Sequence, residues 1–572
     1  MRKKNTFKIL LFLCFSLFLA GQSFSQRYEA EDAVLSGGAI KKNSAIASGG
    51  AYVEMVEGNI SFSVQVPEAG VYEMKIGFSQ TSGTYKIQNV GVNGKTVGSV
   101  TFLRSNSFTS VTTVVSLKAG ANTIAITKSW GYVNIDYIEL AKHQPVPFTI
   151  VPYPVTPEPD ESALKLYKFL RDNFQEKTIS GVMTGTLLSG NTPLALFNQA
   201  EVAYIYNASG KRPALVGFDF MHSTGRRSTE TWFKAYSDAT LSMATTLWEE
   251  GGIPAFCWHW KDPLQNQESF YTDETTFNIV SAFTNSSCTT WNPNSAEYKA
   301  IIKDIDIVSG LLKKLQDRGI AILWRPLHEA SGGWFWWGAK GATPCKALYL
   351  LMFDRMVNYH GLHNLIWVWT TDGNDKSWYP GNDYVDIIGR DFYYTPRQAN
   401  HASLIGEFET FKNVYGTDKI ITLSENGSVP YPDEMQTDNA NWSYFMPWYG
   451  GYARPVSGSN DNIAADWKLI MNDDYIITLE DMPGWENYTY TGIRDNTIAQ
   501  TLVYPTMVKD AVYVVCPDFP YSVLVVDAGG RLVYFAPAVS ETTTISCSGW
   551  EKGVYYISVI NSNEKRTFRV IR

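Results

Sequence analysis

The sequence predicts a multidomain chain made of a β-sandwich, a (β/α)8 TIM barrel and a second, small β-sandwich. Three patterns carry that expectation. Short alternating runs of apolar and polar residues fill 27–142, as at 61–66, 71–76, 113–117 and 123–127, with Gly, Asn and Pro between them. Strand-like and helix-like stretches then alternate over 161–484. From about 490 to 572 the chain returns to short strand-like runs joined by turns such as the one at 528–531. A length of 572 residues fits about three or four domains.

Residues 1–26 begin with Arg2, Lys3 and Lys4, continue with an apolar run at 9–20 and end in small and polar residues up to Gln26. This is the pattern of a secretory signal peptide, too short and wrongly flanked for a spanning helix, with cleavage expected near Ser25 or Gln26. Cys14 lies inside the apolar run rather than after it, so a lipid anchor is not expected. No other stretch is long enough to cross a bilayer. The net charge is −8, and removing a leader that holds four bases and no acid makes the rest more acidic. An acidic chain without a basic cluster excludes nucleic acid and anionic membrane as partners and fits a neutral substrate. Beyond the leader stand Cys257, Cys288, Cys345, Cys516 and Cys547, an odd set, so at least one thiol is free. Cys288 with Cys345, and Cys516 with Cys547, are the candidate pairs; none has metal-ligand spacing.

In the central region the strand-like stretches are 178–186, 214–220, 253–260, 320–324, 365–370, 384–394, 419–423 and 442–448. The helix-like ones are 161–173, 194–207, 229–250, 295–316, 346–360, 401–414 and 462–471, and the crossover around 378–382 shows no clear helix. Barrels of this kind carry their chemistry at the C-terminal strand ends. There the chain places Asp219 and His222, Trp258, His259 and Trp260, His328 and Glu329, Asp391 and Tyr393, Glu425, and Trp448. Glu329 and Glu425 stand three strands apart, so they face each other across the mouth. Side chains reaching inward bring such carboxyls to about 5 Å, the separation of retaining glycoside hydrolysis. Gly332, Gly333, Trp334, Trp336 and Trp337 follow Glu329, and indole faces stack on pyranose rings. Aromatics make up 14% of the chain, which fits carbohydrate contact and β-rich packing equally.

The segment Arg325, Pro326, His328, Glu329, followed by Trp334, resembles glycoside hydrolase family 26, mostly endo-β-1,4-mannanases. That resemblance implies Glu329 as acid/base at the end of strand four and His328 against the sugar just before the cleaved bond. It implies Trp334 in the wall of the site, and Glu425, in the setting Ser424, Glu425, Gly427, as nucleophile. It also implies a hydrogen bond from Tyr393 to that nucleophile. Tyr393 and Arg325 are expected to keep Glu425 ionised, while burial and the neighbouring charge raise the pKa of Glu329. His222, His259 and Trp260 are further candidates for substrate contact, with buried, hydrogen-bonded histidines as the alternative. The chemistry needs no metal or organic cofactor.

The first domain opens with Tyr28, Glu29, Glu31 and Asp32, continues through Gly49, Gly50 and Tyr52, and closes with Trp130, Asn134 and Asp136. These ends resemble carbohydrate-binding modules of family 35 or its relative family 6. The resemblance implies a structural Ca2+ on Glu29, Glu31 and Asp136, and sugar contact by Trp130 and Asn134; a Trp130 buried in the sandwich core is the competing reading. Pro145, Pro147, Pro152, Pro154, Pro157 and Pro159 make 143–160 a stiff spacer. The ending at 552–559 and 566–572 resembles the sorting domain of the type IX secretion system, whose machinery is then a partner. A second binding module is the other reading, disfavoured by few exposed-looking tryptophans.

Together these readings give a secreted or cell-surface, retaining endo-β-1,4-mannanase, expected as a monomer. A hydrolase of the same fold acting on xylan or mixed-linkage β-glucan is the alternative, as is a non-catalytic glycan-binding surface protein.

Overall fold

A computed structural model describes residues 25–373, 375–488, 501–516, 521–539, 542–560 and 565–572. The expected signal peptide lies outside the described residues except for Ser25 and Gln26. The chain divides into two compact units, 1–145 and 146–572.

In the first unit the strands pair into a nine-stranded antiparallel sheet wrapped around one core. The strand Asn59–Val66 shows why: Ile60, Phe62, Val64 and Val66 are buried, and the residues between them face outward. Ser25–Glu29 pairs with Val133–Lys142, which joins the first described strand to the last of the unit.

In the second unit eight parallel strands form one sheet in sequence order. They are β1 (Gly181–Met183), β2 (Leu215–Asp219), β3 (Ile253–Cys257), β4 (Ile322–Arg325), β5 (Leu365–Thr371), β6 (Ile387–Phe392), β7 (Ile420–Asn426) and β8 (Phe445–Pro447). Every residue of β5 and β7 is buried, as expected of strands covered on both faces. The ring closes just before β1, where Ile179 bridges Tyr444 in parallel and its N–H donates to the Ser443 carbonyl.

The helices are α1 (Glu161–Asn173), α2 (Ala200–Ser209), α3 (Thr231–Glu249), α4 (Ala296–Gln316), α5 (Ala342–Phe353), α6 (Ile405–Tyr415), α7 (Pro432–Asp438) and α8 (Ala464–Met471). Asp160 and Ser295 cap α1 and α4 with side-chain oxygens. α2 starts later than the 194 suggested by its apolar pattern. Gln199 caps it, accepting from the N–H groups of Glu201 and Val202, and 196–198 forms a separate 3-10 turn. Among the described residues no α-helix follows β5; two 3-10 turns, Lys376–Trp378 and Asn382–Tyr384, lie in that crossover.

The proline-rich stretch docks on the barrel from Thr149 onward. The Thr149 N–H donates to the Thr417 carbonyl, the Val155 N–H to Asp386, and the Thr156 hydroxyl to the Leu365 carbonyl. The C-terminal segment forms a three-stranded and a four-stranded sheet around Val512, Val523, Ile545, Ile557 and Val570. The expected disulfides are not formed. Cys257, Cys288, Cys345 and Cys547 are buried thiols. Cys516 cannot reach Cys547, because the register Ala511↔Ser546 and Val515↔Thr542 puts them at opposite ends of their strand pair.

Barrel closure gives a test. A Cβ at Gly181 would lie 2.5 Å from the Phe445 backbone oxygen on β8, with no flexible atom to yield. Gly181→Ala is therefore expected to destabilise the barrel by about 1–3 kcal/mol in a denaturant titration. An unchanged midpoint would show that β1 and β8 do not meet this closely.

Candidate active site

Three strand ends, those of β4, β6 and β7, converge on one cluster of charge. Arg325 ends β4 and is buried. Its Nη2 donates to Glu425 Oε2 at 2.7 Å and its Nη1 to Asp391 Oδ2 at 2.6 Å. Asp391 lies on β6 and Glu425 on β7, and the two are register partners beside shifts in the ladder on either side of β7. Such irregularities re-aim side chains at a barrel rim. Tyr393 completes the shell of Glu425, donating its hydroxyl to Oε1 at 2.5 Å. Ser424 donates to the other oxygen of Asp391 at 2.8 Å.

Glu329 enters from β4. Glu329, Asp391 and Glu425 each present a carboxylate oxygen within 4.8 Å of the others. Burial pushes the Glu329 pKa up to about 8, and the charges of Glu425 and Asp391 push the same way, against the Trp334 N–H and Arg325. Burial likewise holds Asp391 near 7, although Arg325 pulls it down. For Arg325 burial opposes the charge, but Asp391 and Glu425 outweigh it and raise its pKa well above the usual value. The site thus sets a neutral acid, Glu329, beside a carboxyl held by hydrogen bonds from Arg325 and Tyr393.

The backbone carrying Glu329 is strained. Leu327 and Glu329 adopt left-handed φ values of 52° and 54°, each costing roughly 1–3 kcal/mol for a non-glycine residue. The loop that follows folds tightly back: a Cβ at Gly338 would fall 1.9 Å from the Ala330 oxygen. Trp334 is 46% exposed and donates its indole N–H to Glu329 Oε2 at 3.0 Å, so it presents a face at the mouth. Phe335 and Trp337 stack behind it at 4.5 Å.

The other candidate residues separate by depth. His259 and His328 are buried, with their Nε2 atoms 3.2 Å apart. His222 is half-buried among Trp232, Phe233 and Tyr236, and the Lys261 Nζ lies 3.2 Å from its Nδ1. Burial, then the Lys261 charge, lowers its pKa to about 4, which leaves it neutral at pH 7. Trp260 is fully buried and donates to Asp304 at 2.8 Å, so it belongs to the wall behind the rim. Asp391 stands at its expected strand end, two residues before Tyr393, but its bond to Arg325 follows only from the fold; an acid inside a buried strand is the signal that marks it.

In the first unit Trp130 is 51% exposed, so its ring is not part of the core. It packs beside Tyr85, with the Lys86 ammonium 4.7 Å from its ring. Asn134 is half-buried and donates to Ser79 at 3.1 Å. Glu29, Glu31 and Asp136 each keep one buried carboxylate oxygen without a hydrogen-bond partner. Ser48 ties two of them together, its hydroxyl donating to Glu29 and its N–H to Asp136. Burial raises the pKa of Glu31 and of Asp136.

Comparison with known proteins matches the same parts. The family model for glycosyl hydrolase family 26 matches 155–481, that for carbohydrate binding module family 35 matches 26–143, and that for a secretion system C-terminal sorting domain matches 502–572. A mannan endo-1,4-beta-mannosidase of Thermothelomyces thermophilus is 33% identical over 473 residues, covering 80% of this chain and 91% of that one. Among solved structures, a beta-mannanase from a symbiotic protist of the termite Reticulitermes speratus, complexed with gluco-manno-oligosaccharide, is 40% identical with a TM-score of 0.54. That likeness covers 59% of this chain and 100% of the other. The Podospora anserina GH26-CBM35 beta-(1,4)-mannanase is 32% identical with a TM-score of 0.53, covering 81% of this chain and 99% of that one.

The raised pKa of Glu329 predicts a stability effect with a definite sign. Below its ordinary value of 4.5 both folded and unfolded states hold the proton, and there is no penalty. Between 4.5 and about 8 the folded state keeps a proton that the unfolded state has released, so stability falls as pH rises; above about 8 the full penalty remains. Glu329→Gln removes the charge. It is expected to melt above the parent at pH 9, with a smaller difference at pH 4.5. No gain at pH 9 would mean that Glu329 is not buried beside like charge.

Proposed function

Because the chain belongs to glycoside hydrolase family 26, we propose that Glu425 and Glu329 cut internal β-1,4 bonds of mannan by double displacement. The enzyme is a mannan endo-1,4-β-mannosidase, secreted or held at the cell surface and carrying a type IX sorting domain. No helix among the described residues is long and apolar enough to span a membrane.

The observation that carries the assignment is the unequal pair of carboxyls within 4.8 Å of each other. Glu425, held by Arg325 and Tyr393, attacks the anomeric carbon as a carboxylate. Glu329 gives its proton to the leaving oxygen as the glycosidic bond breaks and a glycosyl-enzyme forms. Glu329 then takes a proton from water, which attacks the same carbon and frees Glu425 with net retention. The pKa of about 8 keeps Glu329 protonated at neutral pH for the first step. The close spacing supports retention, since an inverting pair stands about 6.5–9.5 Å apart to admit a water. Trp334 offers a sugar-stacking face beside the acid. His328 and His259, both buried, act from behind that surface rather than from it. His222 borders the same rim. One copy of the chain holds every group the two steps use.

For the first unit, Glu29, Glu31 and Asp136 form the seat of a divalent cation such as Ca2+, a hard ion that takes carboxylate and carbonyl oxygens. The three unpartnered buried oxygens support that reading. The ion would tie the first described strand and the turn after it to the last strand. Trp130, exposed at the end of its strand, supplies the stacking face of a glycan-binding module.

Three measurements test these assignments. Glu425→Ala is expected to lower kcat on mannan by at least about 10³-fold, and Glu329→Ala by about 10²–10⁴-fold. Activity near the parent's in either variant would refute its role. Reducing ends released from mannan, xylan and mixed-linkage glucan should favour mannan; preference for another glycan overturns the substrate, and no release from any overturns the activity. Chelation with EDTA should lower the melting temperature of the first unit by at least about 2–5 °C and added Ca2+ should restore it, whereas an unmoved transition excludes the ion.

A further inference from the structure

Behind the acid/base runs a buried chain that the two-step chemistry leaves unused. Asp219 ends β2 and is 3% exposed. Its Oδ1 accepts from the backbone N–H groups of Met221 at 2.8 Å and His259 at 3.0 Å. Its Oδ2 lies 2.5 Å from His259 Nδ1. Burial acts to raise the Asp219 pKa, but the His259 charge and these bonds outweigh it and lower it. Asp219 therefore holds a hydrogen on His259 Nδ1, which points the far nitrogen, Nε2, at His328 Nε2 3.2 Å away. Burial, then Arg325 and His259, drives the His328 pKa well down, so that ring is neutral and shares a single hydrogen with its neighbour.

His328 sits between the two left-handed residues, Leu327 and Glu329. A backbone held in this sparsely populated region persists only when its surroundings over-determine it. Two anchors grip His328: the ring contact to His259 and the Trp337 indole N–H, which donates to the His328 carbonyl at 3.0 Å. Relaxing this peptide by rotation about φ of Glu329 would swing the carboxyl away from Glu425.

We propose that Asp219 and His259 are positioning residues that clamp the strained Leu327–Glu329 turn through His328 and so aim the Glu329 carboxyl at the leaving oxygen. The proposal rests on the reading of Glu329 as acid/base and deepens it. A loosened clamp leaves nucleophile, fold and cleft intact and impairs proton transfer, so its signature is a loss that depends on the leaving group.

The test compares mannan with an aryl β-mannobioside whose phenol is acidic enough to leave without protonation, reading kcat/KM, which reports formation of the glycosyl-enzyme. Asp219→Ala and His259→Gln are expected to lose about 10–100-fold on mannan but no more than about threefold on the aryl substrate. Azide, which attacks the glycosyl-enzyme without a base, should raise their kcat on the aryl substrate and give a β-glycosyl azide. Asp219→Asn, the mildest change, should fall between the parent and Asp219→Ala with the same split between substrates. Equal losses on both substrates in Asp219→Asn, or full activity on mannan in Asp219→Ala, would overturn the proposal, even if the other variants do not fold. Glu329→Ala is the control. If it fails equally on both substrates, the acid/base assignment itself falls and this inference with it; if it shows the split and Asp219→Asn does not, only the clamp is wrong.

Discussion

One buried cation shared between two carboxylates governs this structure. Arg325 lies inside the barrel mouth, where an unpaired charge is very costly, and it bonds Glu425 and Asp391 at once. The arrangement works only if β4, β6 and β7 end at matching heights, because a guanidinium is a rigid planar fork. The closed ring and the register shifts beside Asp391 and Glu425 meet that condition. With one positive charge already committed, a third acid brought into the cluster finds none to spare. Glu329 is that third acid, and burial first, then the charges of Glu425 and Asp391, raise its pKa.

The acid/base also sits on the least relaxed backbone near the site. Two left-handed residues flank His328, and tight turns at Gly332 and Gly338 leave no room for a Cβ. This strain is held in place by aromatic packing of Phe335, Trp336 and Trp337, all nearly fully buried, so the tryptophans after the acid serve as a brace. Trp334 alone of the three turns outward. Natural sites commonly give up stability in this way to hold a reactive group in place.

In the first unit the same electrostatic rule acts with the opposite resolution. Glu29, Glu31 and Asp136 come together with one buried oxygen of each unpartnered by protein donors, while Arg27 acts on Asp136 and Lys41 on Glu31 through their charge. In the barrel, by contrast, the counter-charge is built into the cluster itself as Arg325.

How much of this was legible in the sequence follows from the range of the forces involved. Alternation at period two identified the sandwich strands, and the order of apolar and amphipathic stretches identified the eight barrel strands, because burial of neighbouring residues is written locally. Glu329 and Glu425 were legible because strand ends are predictable and the barrel's symmetry puts strands four and seven across from each other. What was not legible depended on contacts far apart along the chain. The start of α2 moved because Gln199 captured its first N–H groups. The proline-rich stretch docked because its hydrogen-bonding groups found partners at Thr417, Asp386 and Leu365. The candidate pair Cys516 and Cys547 failed on strand register. Asp391 and the links from Asp219 through His259 to His328 emerged only when separate strand ends met, and so did the depth of Trp260 and the exposure of Trp130. The sequence by itself determined which residues carry chemistry and on which elements they lie. Tertiary structure decided their charge states and which of them face the substrate, because both depend on burial and on neighbours brought from elsewhere in the chain.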